Sequence, residues 1–211
     1  ITNRSPCYDL LLPLMHFMMA EEFIYMGEPN PVVPPGTTRV IVDESVNIIP
    51  ARAFYWNRSI VELICHGVKT VERLTFNGCR SLRRVIMPGV EVVEEDAFDC
   101  CFALRYVECG KLERIGLLAF SSCKSLTSID LPSAKIVEEC AFSNCTALTK
   151  VNFGKELESI GELAFLRCTS LERITIPLKD GIITDDDIFQ GCEKLEHVDL
   201  VEGEVLRDTI A

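Results

Sequence analysis

The chain has no apolar run long enough to cross a bilayer, which takes about 20 residues. The longest, Leu10 to Ala20, is eleven residues and contains Pro13 and His16. It has neither a basic start nor a small-residue cleavage site, so it does not read as a secretory signal. Histidine is scarce. His16, His66 and His197 are scattered, and none has a Cys, Asp or Ser partner at a metal-ligand or triad spacing. There is no Gly-rich phosphate loop and no H-E-x-x-H. These absences leave no basis for an enzyme, a metal or a cofactor. Bases are in deficit, 21 Lys and Arg against 32 Asp and Glu, for a formal net charge of −11. Phosphate backbones and anionic membranes call for a basic field, so this balance argues against both as partners. Eleven cysteines are many, yet no two form a C-x-x-C, and a zinc ribbon or thioredoxin motif has no support.

What is present is a repeat. Phenylalanines fall at 54, 76, 98, 120, 142, 165 and 189, separated by 22, 22, 22, 22, 23 and 24 residues. Cysteine follows three residues later at Cys79, Cys101, Cys123, Cys145, Cys168 and Cys192, with Asn57 in the first unit. Aliphatics follow at fixed offsets: Ile60, Leu82, Leu104, Leu126, Leu148, Leu171 and Leu195, then Leu63, Val85, Val107, Ile129, Val151, Ile174 and Val198. A period in this range marks a solenoid. The spacing divides each coil into three legs. The A-F-x-x-C-x-x-L leg has three-residue spacing, as in a tight helical or 3₁₀ turn. A short strand follows, ended by Pro88, Pro132 and Pro177 in three coils, since proline cannot donate to a ladder. A return leg carries one more inward aliphatic, as at Val71, Val93, Ile115, Val137 and Ile160. The predicted fold is an α/β repeat solenoid of about seven coils, with a parallel sheet on one face. One cysteine column per coil predicts a ladder of buried free thiols rather than disulfides. That favours a cytoplasmic or other reducing compartment.

The unit Ile160-Gly161-Glu162-Leu163-Ala164-Phe165-Leu166-Arg167-Cys168-Thr169-Ser170-Leu171-Glu172-Arg173-Ile174-Thr175-Ile176-Pro177 carries I-G-x-x-A-F-x-x-C-x-x-L-x-x-I-x-I-P nearly whole. It resembles the BspA-type leucine-rich repeat, over about residues 37–205. The resemblance implies a curved right-handed solenoid, no catalysis of its own, and a role in adhesion or protein binding. Bacterial members are often secreted, which keeps the cell surface open as the alternative location.

Residues 1–30 do not follow the repeat. Leu10, Leu11, Leu14, Phe17, Met18 and Phe23 approach helical spacing, which predicts a helical cap on the solenoid end or a docking segment. Residues 31–36 form a Pro-rich linker, and 37–211 form the repeat domain. Its pattern still runs at Val201–Leu206, which predicts repeat beyond the chain end.

Solenoids bind through exposed positions of the sheet. The outward columns bring Arg83, Arg84, Arg105 and Tyr106 together in the N-terminal half, residue types enriched at hot spots. The C-terminal half carries Lys150, Glu172, Arg173, Glu196 and His197. The expected function is a protein-binding scaffold whose arginines meet an acidic patch on a partner. A surface adhesin and a structural subunit of a larger assembly are the alternatives.

Overall fold

The computed structural model describes residues 21–182 and 186–201. The strands are β1 (Glu22–Tyr25), β2 (Arg39–Val42), β3 (Ile48–Ile49), β4 (Glu62–Ile64), β5 (Thr70–Val71), β6 (Arg84–Ile86), β7 (Val92–Val93), β8 (Tyr106–Glu108), β9 (Arg114–Ile115), β10 (Ser128–Leu131), β11 (Ile136–Val137), β12 (Lys150–Phe153), β13 (Ser159–Ile160), β14 (Arg173–Ile176) and β15 (His197–Leu200). One side of the solenoid carries β1-β2-β4-β6-β8 and then β10-β12-β14-β15. The return legs build a second, unbroken sheet, β3-β5-β7-β9-β11-β13. Pairing is parallel, and the register advances by one repeat per strand, as in Arg84↔Tyr106 and Val85↔Val107. The repeat period has become the step of the solenoid. Among the described residues no helix is long and apolar enough to cross a membrane.

Stacking follows from that step. Equivalent residues sit one strand spacing apart, about 4.8 Å, so identical side chains form columns. The rings of Phe54, Phe76, Phe98, Phe120, Phe142 and Phe165 stack with centroids 5.1–5.4 Å apart. Tyr25 closes the N-terminal end of this column edge-on, 5.1 Å from Phe54. Burying each ring stabilises the fold by roughly 1.5–3 kcal/mol. All six strand aliphatics from Leu63 to Ile174 are buried, whereas Val198 in the last described coil is 54 % exposed.

The A-F-x-x-C leg is a run of turns, not a helix. The only 3₁₀ helix among the described residues is Asp186–Phe189. Two turns follow each other in each coil: the Ala97 N–H donates to Glu94 O and the Cys101 N–H to Phe98 O. Between them the Phe98 N–H donates to Ala119 O of the next coil. Diverting alternate N–H groups to a neighbouring coil is what prevents a continuous helix. Each turn holds its third residue at positive φ, here Asp96 (56°) and Cys100 (58°). This is the type II geometry that normally selects glycine. Only Gly78 and Gly191 supply it; elsewhere the position falls to Arg, Trp, Leu, Asp, Cys, Ser or Asn.

The cysteine column is a ladder of free thiols. Each donates back one coil to a phenylalanine carbonyl, Cys79 to Phe54, Cys101 to Phe76, Cys123 to Phe98, Cys145 to Phe120, Cys168 to Phe142 and Cys192 to Phe165, at 3.1–3.4 Å. Asn57 in the first unit turns its Oδ1 forward instead, accepting from the Ser59 and Ile60 N–H groups.

The N-terminal cap expected over residues 1–30 needs one correction. Residues 22–25, including Phe23, are strand β1, paired with β2 in register Glu22↔Arg39 to Tyr25↔Val42. Glu22, Ile24 and Met26 face out while Tyr25 is buried, an alternation of period two that suits a strand. The helix expected over Leu10–Ala20 and the repeat expected after Val201 lie outside the described residues.

Candidate interaction surface

The outward positions of the long side form the candidate site. A row of alternating charge crosses its N-terminal end. Arg39 reaches Glu22 at 3.2 Å and Glu62 at 3.0 Å, and Arg84 reaches the same Glu62 at 3.7 Å. These pairs are well exposed and contribute little to stability. They do hold Arg84 in place, and its guanidinium also lies 5.4 Å from the centroid of Tyr106 on the next strand. Arg83 and Arg105 immediately precede the same two strands and are backbone neighbours, the Arg105 N–H donating to Arg83 O at 2.9 Å. Both side chains are exposed, and among the described residues neither has a carboxylate within 4.0 Å. Arg83, Arg84, Arg105 and Tyr106 are thus brought together.

The remaining predicted residues lie on the other half of the face. Lys150, Arg173 and His197 fall in one row across β12, β14 and β15. Arg173 is tied to Asp199 at 2.6 Å, while Glu172 and Glu196 are exposed. The two halves are separated by a break, since β8 and β10 are not hydrogen-bonded. Glu108 of β8 and Asp130 of β10 flank this break, and facing like charges oppose strand pairing. A slit of about 200 Å³ opens between them, lined by Tyr106, Glu108, Cys109, Ser128 and Asp130 among others. On β6, Ile86 is only 8 % exposed and adds little to this face.

The model of the BspA-type leucine-rich repeat region matches in six copies, over residues 47–136 and 113–205. The chain belongs to this family. Two solved structures share the fold of this BspA-type repeat protein. A leucine-rich repeat protein from Bacteroides ovatus aligns with TM-score 0.56 at 20% identity, over 86% of this chain and 54% of its own. The leucine-rich repeat protein of T. pallidum aligns with TM-score 0.52 at 20% identity, over 84% of this chain and 73% of its own. The chain spans about half the length of the first of these. No curated protein matches. Leucine-rich repeat solenoids commonly mediate protein–protein contacts and are generally non-catalytic.

The BspA-type coil also explains a groove on the return side, of about 400 Å³ and lined by Arg73, Glu94, Glu95, Arg114 and Glu138 among others. In three coils a glutamate there accepts a backbone N–H from the previous coil: Glu72 from Ala51, Glu94 from Arg73 and Glu138 from Leu117, at 2.8–3.1 Å. Gly116 takes that place in the coil between Glu94 and Glu138 and lines the groove, packed so closely on the Glu94–Glu95 backbone that a Cβ would not fit. Among the described residues the thiolate form of several cysteines is disfavoured. Burial pushes Cys65, Cys79 and Cys109 up to about 12. Half-exposed Cys100 is pushed up to about 11, by burial first and then by Asp99. Thiolates are the reactive form, and these sites suppress them. Among the described residues no three His, Cys, Asp or Glu side chains are grouped to hold a metal.

Proposed function

We propose that this BspA-type repeat protein is a non-catalytic scaffold that holds an acidic segment of a partner protein on the sheet face over β6 and β8. The observation that carries the reading is the adjacency of Arg83 and Arg105, exposed and without carboxylate partners, on a chain of net charge −11. Guanidinium groups offer a planar fork that fits carboxylates two bonds at a time. Tyr106, 49 % exposed, adds an aromatic surface beside them.

The test is a titration of a fluorescein-labelled acidic peptide, acetyl-(Glu-Asp)₆-amide, followed by anisotropy. Wild type is compared with Arg83→Glu/Arg105→Glu, after circular dichroism shows that both are folded. The expected result is saturable binding that falls as salt rises and weakens at least about tenfold in the variant. Equal affinity in the two proteins would remove the arginine face from consideration.

A further inference from the structure

Where the turn leg hands over to the sheet, basic and aromatic side chains alternate across four coils. The Arg58 guanidinium lies 5.3 Å from the centroid of Trp56, and Arg80 lies 5.1 Å from Trp56 and 5.1 Å from Phe102. Lys124 Nζ lies 5.0 Å from Phe102. The order is Arg58, Trp56, Arg80, Phe102, Lys124, a ridge running parallel to the solenoid axis. Its aromatic end is built in. Trp56 lies across Gly78, where an added Cβ would come within 3.1 Å of three indole atoms. A Cβ at 78 would push the ring outward by a few tenths of an ångström, and the φ of 73° there also favours glycine.

The three cations carry no ion pair. Among the described residues no carboxylate lies within 4.0 Å of Arg58, Arg80 or Lys124. Elsewhere Lys69, Arg73, Arg114 and Lys135 each have a glutamate partner from a neighbouring coil. Arg58, Arg80 and Lys124 thus form one strip without carboxylate partners, continuous in sequence with Arg83, three residues beyond Arg80; other unpaired bases, such as Lys111, Lys155 and Arg167, lie off it. Rings rather than carboxylates hold them, so their charge stays available while their side chains are already ordered. Preordering lowers the entropy cost of binding.

We propose that this ridge is a second binding strip, taking an extended acidic protein segment that passes from Arg83 and Arg105 over the edge of the sheet to Trp56. Carboxylates of the segment meet Arg80, Lys124 and Arg58, and an apolar side chain lies against the exposed edge of the indole. The proposal rests on the sheet-face reading and adds a site to it. A single-stranded nucleic acid suits the ridge less well. Base stacking needs free ring faces, and those of Trp56 and Phe102 are already engaged by Gly78 and the cations.

The single tryptophan of the chain makes the ridge its own reporter. The probe is acetyl-(Glu-Asp)₆-amide, unlabelled for Trp56 emission and fluorescein-labelled for anisotropy. The expected result is a saturating change in Trp56 emission with the same midpoint as the anisotropy. Arg80→Glu/Lys124→Glu weakens binding at least about tenfold, with the circular dichroism spectrum and thermal midpoint kept. Lys111→Glu/Lys155→Glu, an equal change of net charge elsewhere, leaves binding as in wild type. Peptide binding that depends on Arg83 and Arg105 but leaves Trp56 emission and the Arg80→Glu/Lys124→Glu variant unaffected overturns the ridge and spares the sheet face. No binding in either assay overturns both. Tighter binding of a twelve-nucleotide oligothymidine than of the peptide overturns the acidic-protein occupant.

Discussion

The Cys101 thiol donates to the carbonyl oxygen of Phe76 at 3.2 Å, one coil back, where the Phe76 ring stacks on that of Phe98. The same bond recurs at six coils, so the cysteine column is a hydrogen-bonding device as well as a small apolar filler. Sulfur is a weak donor, and the energy of each bond is modest. Replacing Cys101 with alanine deletes the donor and leaves a sulfur-sized void. The expected loss is about 1–2 kcal/mol, read as a lower denaturant midpoint at unchanged slope.

The buried thiols, inside the ladder and outside it, also predict an alkaline limit. Cys65, Cys79 and Cys109 lie at about 12 in the fold, against 9.0 for an ordinary thiol. Their folded values are raised, so the unfolded chain loses these protons first. Stability is fully present below about pH 9 and falls as pH rises from there toward 12, by up to roughly 1.4 kcal/mol per thiol per pH unit. Thermal midpoints measured from pH 7 to 11 should hold and then drop; a flat profile above pH 9 contradicts thiol burial.

Cys100 gives a local version of the same test. It is half-exposed and neighbours fully buried Cys101. Alkylation of the native protein, mapped by mass spectrometry, should modify Cys100 well before Cys101. The Cys100 rate should climb about tenfold per pH unit until pH approaches about 11.

Backbone strain predicts a gain. Ser122 holds φ at 56°, and the equivalent position is glycine in two coils, Gly78 and Gly191. A left-handed non-glycine residue costs about 1 kcal/mol, part of which glycine gives back through the entropy of the unfolded chain. Ser122→Gly should therefore raise stability by a few tenths up to about 1 kcal/mol, visible as a higher thermal midpoint.

Close coil approach predicts a loss. A Cβ on Gly154 would stand 1.9 Å from the backbone oxygen of Pro132 in the previous coil. Backbone on both sides leaves nothing flexible to yield. Gly154→Ala should destabilise by about 3 kcal/mol or more, whereas Gly110→Ala, with no atom within 4 Å of its Cβ, should be nearly neutral.

The columns were legible because one step of register equals one repeat, so Phe, Cys and the aliphatics had to align. The conformation of the turn leg was not. Its left-handed positions hold residues such as Leu118, Cys140 and Arg167, which carry none of the glycine or asparagine signal for positive φ. Strand β1 was hidden because Glu22–Tyr25 has no preceding A-F-x-x-C leg and adjoins an apolar stretch. Arg83, Arg84, Arg105 and Tyr106 could be grouped from spacing alone, since they share offsets within the repeat. Which of them were already paired depended on Glu62, whose reach to both Arg39 and Arg84 is a matter of side-chain geometry. The ridge escaped notice because Trp56 lies two residues after its phenylalanine, while Arg80, Phe102 and Lys124 lie four after theirs.

The break between β8 and β10 is confined to one wall. Behind it the Phe98–Phe120 stack and the β7-β9-β11 pairing run on without interruption. Mechanically this is a leaf spring cut through one leaf. A bend about the intact wall would change the width of the slit and the angle between the arginine half of the face and the half bearing Glu172 and Glu196. A ligand gripping both halves would set that angle, and the molecule's curvature would then record what it holds.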